Sequence, residues 1–194
     1  VRVQAIKGYT EAYQTGNVED IRPTLQAIST TVLNSNSVNV ALEGIHQLGN
    51  LSRFKHNGEK VNKLETSNEV IKTIITICNS NNDLLVKNAA LEELNKNLTT
   101  IGDDVSRSRH KQVIDAIGSI ASTVTVKDDD PKTASFMVNV INILSTYASR
   151  KQSQNSDSDY NVSKDSQRQA RDLMAFLTTT MGVEKLDDLV SAAS

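Results

Sequence analysis

The sequence predicts an all-α fold of stacked helical hairpins, and three observations carry the prediction. The first is a recurring phrase: Ala5-Ile6-Lys7-Gly8-Tyr9, Ala41-Leu42-Glu43-Gly44-Ile45, Ala90-Leu91-Glu92-Glu93-Leu94 and, more weakly, Ala134-Ser135-Phe136-Met137-Val138. Its copies stand 36, 49 and 44 residues apart. Self-similarity at a period of roughly 40 residues marks an array of two-helix units. The second is a different apolar series that precedes each later copy, at distances of 20, 20 and 21 residues: Ile21 to Ala41, Val70 to Ala90 and Val113 to Ala134. A hairpin of fixed helix and turn length keeps that distance; unrelated helices do not. The third is composition. Eight Gly, two Pro, no Trp and 4% aromatic residues among 194 suit long helices that each bury one stripe.

The elements follow in order. The chain opens on Val1-Arg2-Val3-Gln4-Ala5, already inside the repeat, and Gly16 offers the left-handed stop that ends this helix. Asp20 is placed to cap the next, with Pro23 in its first turn and Ile21, Leu25, Ile28 and Val32 as its buried stripe. After the polar turn 34–37, Val38, Ala41, Ile45, Leu48 and Leu51 recur at three and four residues. Thr66 and Glu69 fit a capping box before Val70, Ile74 and Ile77. Asp83 caps the series Val86, Ala90, Leu94, Leu98 and Ile101, which Gly102 ends. Val113, Ile117, Ile120 and Val124 form the next helix, and Asp130-Pro131 opens the one through Ala134, Val138, Ile141 and Leu144. Ala170, Leu173, Met174, Leu177 and Met181, ended by Gly182, mark another, and Leu186, Leu189, Val190 and Ala193 a short last one.

The turns within hairpins are short. Those between hairpins, Arg53 to Leu64, Gly102 to Arg109 and Lys151 to Ser163, are longer. The reading is one helical-repeat domain over 1–194, a piece of a longer array. It divides into a half unit 1–16, units 17–53, 66–102, 108–150 and 163–194, and a mobile loop 151–163. One hairpin cannot bury both its apolar faces, so neighbours must cover it. An Asp in place of Ile45 or Leu94 is expected to unfold the array.

With 21 Lys and Arg against 23 Asp and Glu, the net charge is −2. This gives no global nucleic-acid signal. No apolar run reaches the length of a membrane span. There is no signal peptide and no initiator Met, and a cytoplasmic address is expected. The lone Cys78 excludes an internal disulfide. It lies in an apolar run with no basic neighbour nearby in sequence, so it reads as a small buried hydrophobe.

No constellation for catalysis, a cofactor or a metal stands out. His46, His56 and His110 form no i, i+4 pair. Glu92/Glu93, Asp103/Asp104 and Asp187/Asp188 are sequence neighbours, which point in different directions on a helix. The run 128–130 lacks the alternation and distal Glu of a calcium loop. Glycine-rich phosphate loops and Ser elbows are absent. A non-enzymatic protein is expected.

The phrase and its setting resemble the HEAT/armadillo class of α-solenoid. Val1-Arg2-Val3-Gln4-Ala5, with Tyr9 at the next core position, matches the Val-Arg-x-x-Ala pattern of that class. The later copies keep the Ala but carry Asn39, Asn88 and Lys132 near the Arg position. The resemblance implies a right-handed superhelix of about four hairpins whose second helices line a concave, partner-binding surface. Candidate contacts to another protein or peptide segment are Lys7, Glu11, Asn39, Glu43, His46, Gln47, Glu92, Asn95, Lys96 and Asn139. The alternative is nucleic-acid binding along the inter-hairpin edge, where Arg53, Lys55, Lys60, Lys63, Arg107, Arg109, Lys111 and Arg150 gather.

Overall fold

A computed structural model describes residues 1–16, 19–54, 64–99, 104–127, 130–150 and 164–181. Among them are eight α-helices and no strand: α1 (Arg2–Gln14), α2 (Ile21–Leu33), α3 (Val38–Arg53), α4 (Leu64–Ser80), α5 (Leu84–Thr99), α6 (Asp104–Ala121), α7 (Pro131–Ala148) and α8 (Lys164–Met181). They fall into two compact units, Val1–Thr100 and Ile101–Ser194.

Local chemistry sets several of the described helix ends. Gly16, at φ 79°, closes the turn after α1. Asp20 accepts from the Arg22 amide at 3.0 Å to cap α2. Asp83 accepts from the Leu85 amide at 2.8 Å, and Asp130 from the Lys132 amide at 3.0 Å, with Pro131 at the first position of α7.

Three boundaries differ from the sequence reading. α4 begins at Leu64, so Thr66 lies inside the helix and the expected capping box does not form; Glu69 instead pairs with Lys72 at 2.8 Å. α6 begins at Asp104, so 104–109, read as part of a turn, is helical. α6 stops at Ala121 and leaves Val124 outside, because the Ser122 and Thr123 hydroxyls bond the carbonyls of Ser119 and Ile120 at 2.8 and 2.7 Å. The stops at Gly102 and Gly182, the loop 151–163 and the helix around Leu186–Ala193 lie outside the described residues.

In the first unit, α1, α3 and α5 lie side by side, α1 on α3 and α3 on α5. α2 packs on α1, α3 and α4, and α4 packs on α3 and α5. Among the described residues α1 touches neither α4 nor α5, and α2 does not touch α5. The core runs through this double row: Ile28, Ile45, Leu48, Leu51, Val70, Ile74, Ile77, Ala90 and Leu94 are all 0–1% exposed. In the second unit α6, α7 and α8 each pack on the other two, around Ile117, Ile120, Phe136, Val140, Leu144 and Tyr147.

Cys78 is fully buried. Lys87, itself buried on α5, acts electrostatically on the thiol and supplies in space the basic neighbour that is missing in sequence. Burial outweighs it and pushes the thiol up to about 12, while the same burial pulls the Lys87 ammonium down. The native thiol should therefore resist an aromatic disulfide reagent at mildly alkaline pH and react only once denaturant opens the first unit. Rapid reaction of the folded protein would contradict this placement.

Candidate functional site

The helices α1, α3 and α5 carry two polar groups, one around Glu43 and one around Glu93. In the first, Lys7 Nζ lies 3.9 Å from Glu43 Oε2, which ties α1 to α3. One turn on, Gln47 Nε2 donates to Glu43 Oε1 at 2.7 Å. The second group centres on Glu93 of α5, whose side chain is 5% exposed. Its Oε1 accepts from Lys96 Nζ at 2.7 Å and faces His46 Nδ1 at 3.2 Å. Its Oε2 accepts from Arg53 Nη2 at 2.7 Å, and Arg53 Nη1 reaches the Glu93 carbonyl at 3.3 Å. Asn50 joins the ring: its Oδ1 accepts from Arg53 at 3.2 Å and its Nδ2 lies 3.5 Å from His46 Nε2. The tautomer that satisfies both contacts puts the His46 proton on Nδ1, directed at Glu93.

A buried carboxylate is costly unless several donors compensate it. Burial pushes the Glu93 carboxyl up, but hydrogen bonds from Lys96, Arg53 and His46 outweigh that and hold it below its usual value. Room for it comes from Gly49: a Cβ there would run into the Glu93 carboxylate. Beneath the ring, Asn97 Nδ2 donates to Ser52 Oγ at 2.9 Å and to the Glu93 carbonyl at 3.0 Å. Ser67 of α4 donates to the Ser52 carbonyl at 3.3 Å. The α3–α5 seam is thus polar at one end and apolar at Ile45, Leu48 and Leu94.

Of the residues singled out from sequence, Lys7 and Gln47 meet at Glu43, while His46 and Lys96 meet at Glu93 together with Arg53 from the expected basic edge. Glu11, Asn39 and Glu92 are exposed and Asn95 half-exposed on the same three helices. Asn139 is half-buried on α7 in the other unit. Glu92 and Glu93 do diverge, one outward and one inward.

The expected anion edge fares differently. Arg53 is committed to Glu93. Arg109 is only 2% exposed. Arg150 stacks over the Tyr147 ring at 5.6 Å, and Lys111 is exposed. Lys55, Lys60, Lys63 and the Arg107 side chain lie outside the described residues.

Sequence reasoning missed Glu93, Asn50, Ser52 and Asn97. The available signal was in the phrase itself. Its fourth position is Gly8, then Gly44, then Glu93, so a charged residue takes the place of a glycine.

The second unit has a buried polar cluster of its own. Tyr147, fully buried, meets His110 Nδ1 through its hydroxyl at 3.0 Å, with the two rings edge to face at 5.4 Å. Burial raises the phenol above its ordinary value, against a Ser166 hydrogen bond and the nearby Arg150 charge. Gln167 Nε2 donates to the Arg150 carbonyl at 2.7 Å. These contacts fasten α8 to α7 and close over the hydroxyl. In the first unit, a cleft of about 310 Å³ opens between the α2–α3 and α4–α5 turns, lined by Val32, Leu33, Asn36, Ile77, Asn81 and Asn82.

Among the described residues no three His, Cys, Asp or Glu side chains converge as a metal site, and no helix is long and apolar enough to cross a membrane. No protein-family model matches the chain, and no curated protein matches it either.

Proposed function

We propose that the chain is a HEAT-like helical-repeat module that binds another protein through the side formed by α1, α3 and α5, without catalysis of its own. The observation that carries this is the Glu93 ring. A buried carboxylate holds three cationic or imidazole side chains in place from behind. The His46 and Lys96 side chains remain about half exposed, at 54% and 51%, and Arg53 is 23% exposed. Side chains fixed before binding lose less rotamer freedom on contact, which favours recognition of a defined segment. Lys7, Glu43, Gln47, Asn95 and Glu92 extend the surface across three helices, with charges of both signs that suit a helix or extended peptide of mixed charge.

The repeat reading is supported by the packing. In the first unit each helix meets only near neighbours, and the mutual packing of α6, α7 and α8 repeats that of α2, α3 and α4. A curved stack should give a radius of gyration above the roughly 16 Å expected of a compact globule of this length. Small-angle scattering at or below that value would remove the superhelix.

A photo-crosslinking residue at Gln47, compared with one at the exposed Lys72 on the outer helix α4, tests the surface. Capture of a defined protein at position 47, weakened about tenfold or more by His46→Ala with Lys96→Glu, is expected. Equal capture at both positions would refute the reading.

A further inference from the structure

The cleft between the α2–α3 and α4–α5 turns has walls built from one turn used twice. Asn34-Ser35-Asn36 recurs 45 residues on as Asn79-Ser80-Asn81. Packing of α2 on α4 sets the two copies across about 310 Å³ of open space. The floor is aliphatic: Val32 and Ile77 are 3% and 0% exposed, while Leu33, at 44%, stands in the open. The rim is made of carboxamides and hydroxyls. Asn81 Oδ1 accepts from the Asp83 amide at 2.8 Å, and Ser35 Oγ accepts from the Ser37 amide at 3.3 Å. The turns thereby hold both side chains and leave the Asn81 NH2 group and the Ser35 hydroxyl proton to donate elsewhere. Asn36 and Asn82 are exposed, and among the described residues their carboxamides bond to nothing in the chain.

This lining selects by exclusion. Among the described residues no charged and no aromatic side chain lines the cleft. A phosphate, carboxylate or ammonium would give up hydration without meeting a counter-charge. A nucleobase would find no aromatic face to stack on. A hydrocarbon chain would desolvate the rim without replacing its hydrogen bonds. A peptide group fits, because it is uncharged and pairs one N–H donor with one C=O acceptor, the complement of a side-chain carboxamide. In an extended peptide alternate side chains point the same way. One aliphatic side chain can then enter over Val32 and Ile77 while the flanking amides meet Asn36 on one wall and Asn82 on the other.

We infer that this cleft binds a short, extended, uncharged peptide segment through its backbone amides and one aliphatic side chain. Main-chain hydrogen bonds supply affinity in such a site and the pocket supplies selection. The cleft shares no residue with the side of α1, α3 and α5 proposed above as a binding surface, so the two can fail separately.

The test titrates a capped Thr-Thr-Leu-Thr-Thr peptide onto the isotope-labelled full chain and follows its amide correlation spectrum. Saturable shifts at residues 32–38 and 77–82, the Asn36 and Asn82 side-chain amides included, are expected with half-saturation below about 1 mM. Asn36→Ala with Asn82→Ala should weaken binding about fivefold or more. The same pair should leave the thermal transition unchanged, since neither carboxamide has a partner in the chain. A peptide with Asp in place of Leu should not bind, and one methylated on the Leu backbone nitrogen should bind at least fivefold more weakly. His46→Ala with Lys96→Glu should leave binding unaltered. No saturation at 1 mM overturns the inference, as do shifts that gather around Glu93 instead. Undiminished binding of the methylated peptide would mean that the cleft reads only the apolar side chain, and overturns it too. Dilution of the chain alone separates two origins of such a segment: shifts at these residues that change with chain concentration identify a second copy as a source, and constant shifts exclude it, the site standing in both cases.

Discussion

Leu94→Asp should leave the first unit unfolded at room temperature. Leu94 is fully buried between α3 and α5. Removing a buried leucine forfeits about 1.5–3 kcal/mol. The new carboxyl would add the cost of an unpaired buried charge, or of protonating it, of several kcal/mol more. A unit of this size has a total stability of only about 5–15 kcal/mol. The Glu93 ring offers no relief, because its three donors are already taken by a carboxylate. Loss of helical circular dichroism and of methyl-shift dispersion for α1–α5 would register the effect. Leu85→Asp on the same helix is the control: Leu85 is 63% exposed, and the change should be nearly silent. A cooperative native melt for Leu94→Asp would contradict the packing described.

Glu93→Ala has the next largest expected effect. It removes the acceptor shared by Arg53, Lys96 and His46. Truncating one partner of a buried ion pair costs about 3–5 kcal/mol. Here His46 and Lys96 are half in solvent and can rehydrate, so about 2–3 kcal/mol is the expected loss, a fall of roughly 10 °C in the melting temperature of a unit this size. Glu93→Gln keeps the shape and isolates the charge. The folded carboxyl lies below its reference value of 4.5. The unfolded state therefore takes up protons first as the medium becomes acid. The charge contributes in full above about pH 4.5 and its contribution is lost as pH falls through the folded value. Urea melts of wild type and Glu93→Gln should be parallel near neutrality and converge in acid. A gap that does not narrow would show that the charge is not what stabilises the seam.

The helices were legible because their signals are local. Apolar spacing marks Val38 to Leu51, and Asp20, Asp83 and Asp130 cap the helices they precede. Where the reading failed, the deciding contact was distant or the competition subtle. Nothing near Glu93 in sequence says that it points inward; that depends on an absent side chain at Gly49, 44 residues earlier. Val124 keeps the apolar spacing of α6, yet two hydroxyls take the last carbonyls and end the helix before it. Arg109 reads as a surface charge, but α6 carries it inward. Of the site, the outer side chains Lys7, Glu43, His46, Gln47 and Lys96 were visible from their helical positions, while the carboxylate that organises three of the ring's donors was not.

The glycine at 49 and the carboxylate at 93 also constrain the order in which this seam can change through single substitutions. A side chain at 49 is obstructed for as long as glutamate fills the space, so enlargement there must follow a reduction at 93. Once alanine stands at both positions the return path is closed in the same way, since glutamate could re-enter only after 49 had shrunk again. Lineages descending from a common ancestor through this pair would therefore separate into two families of sequence, each internally tolerant and each a poor donor of single residues to the other.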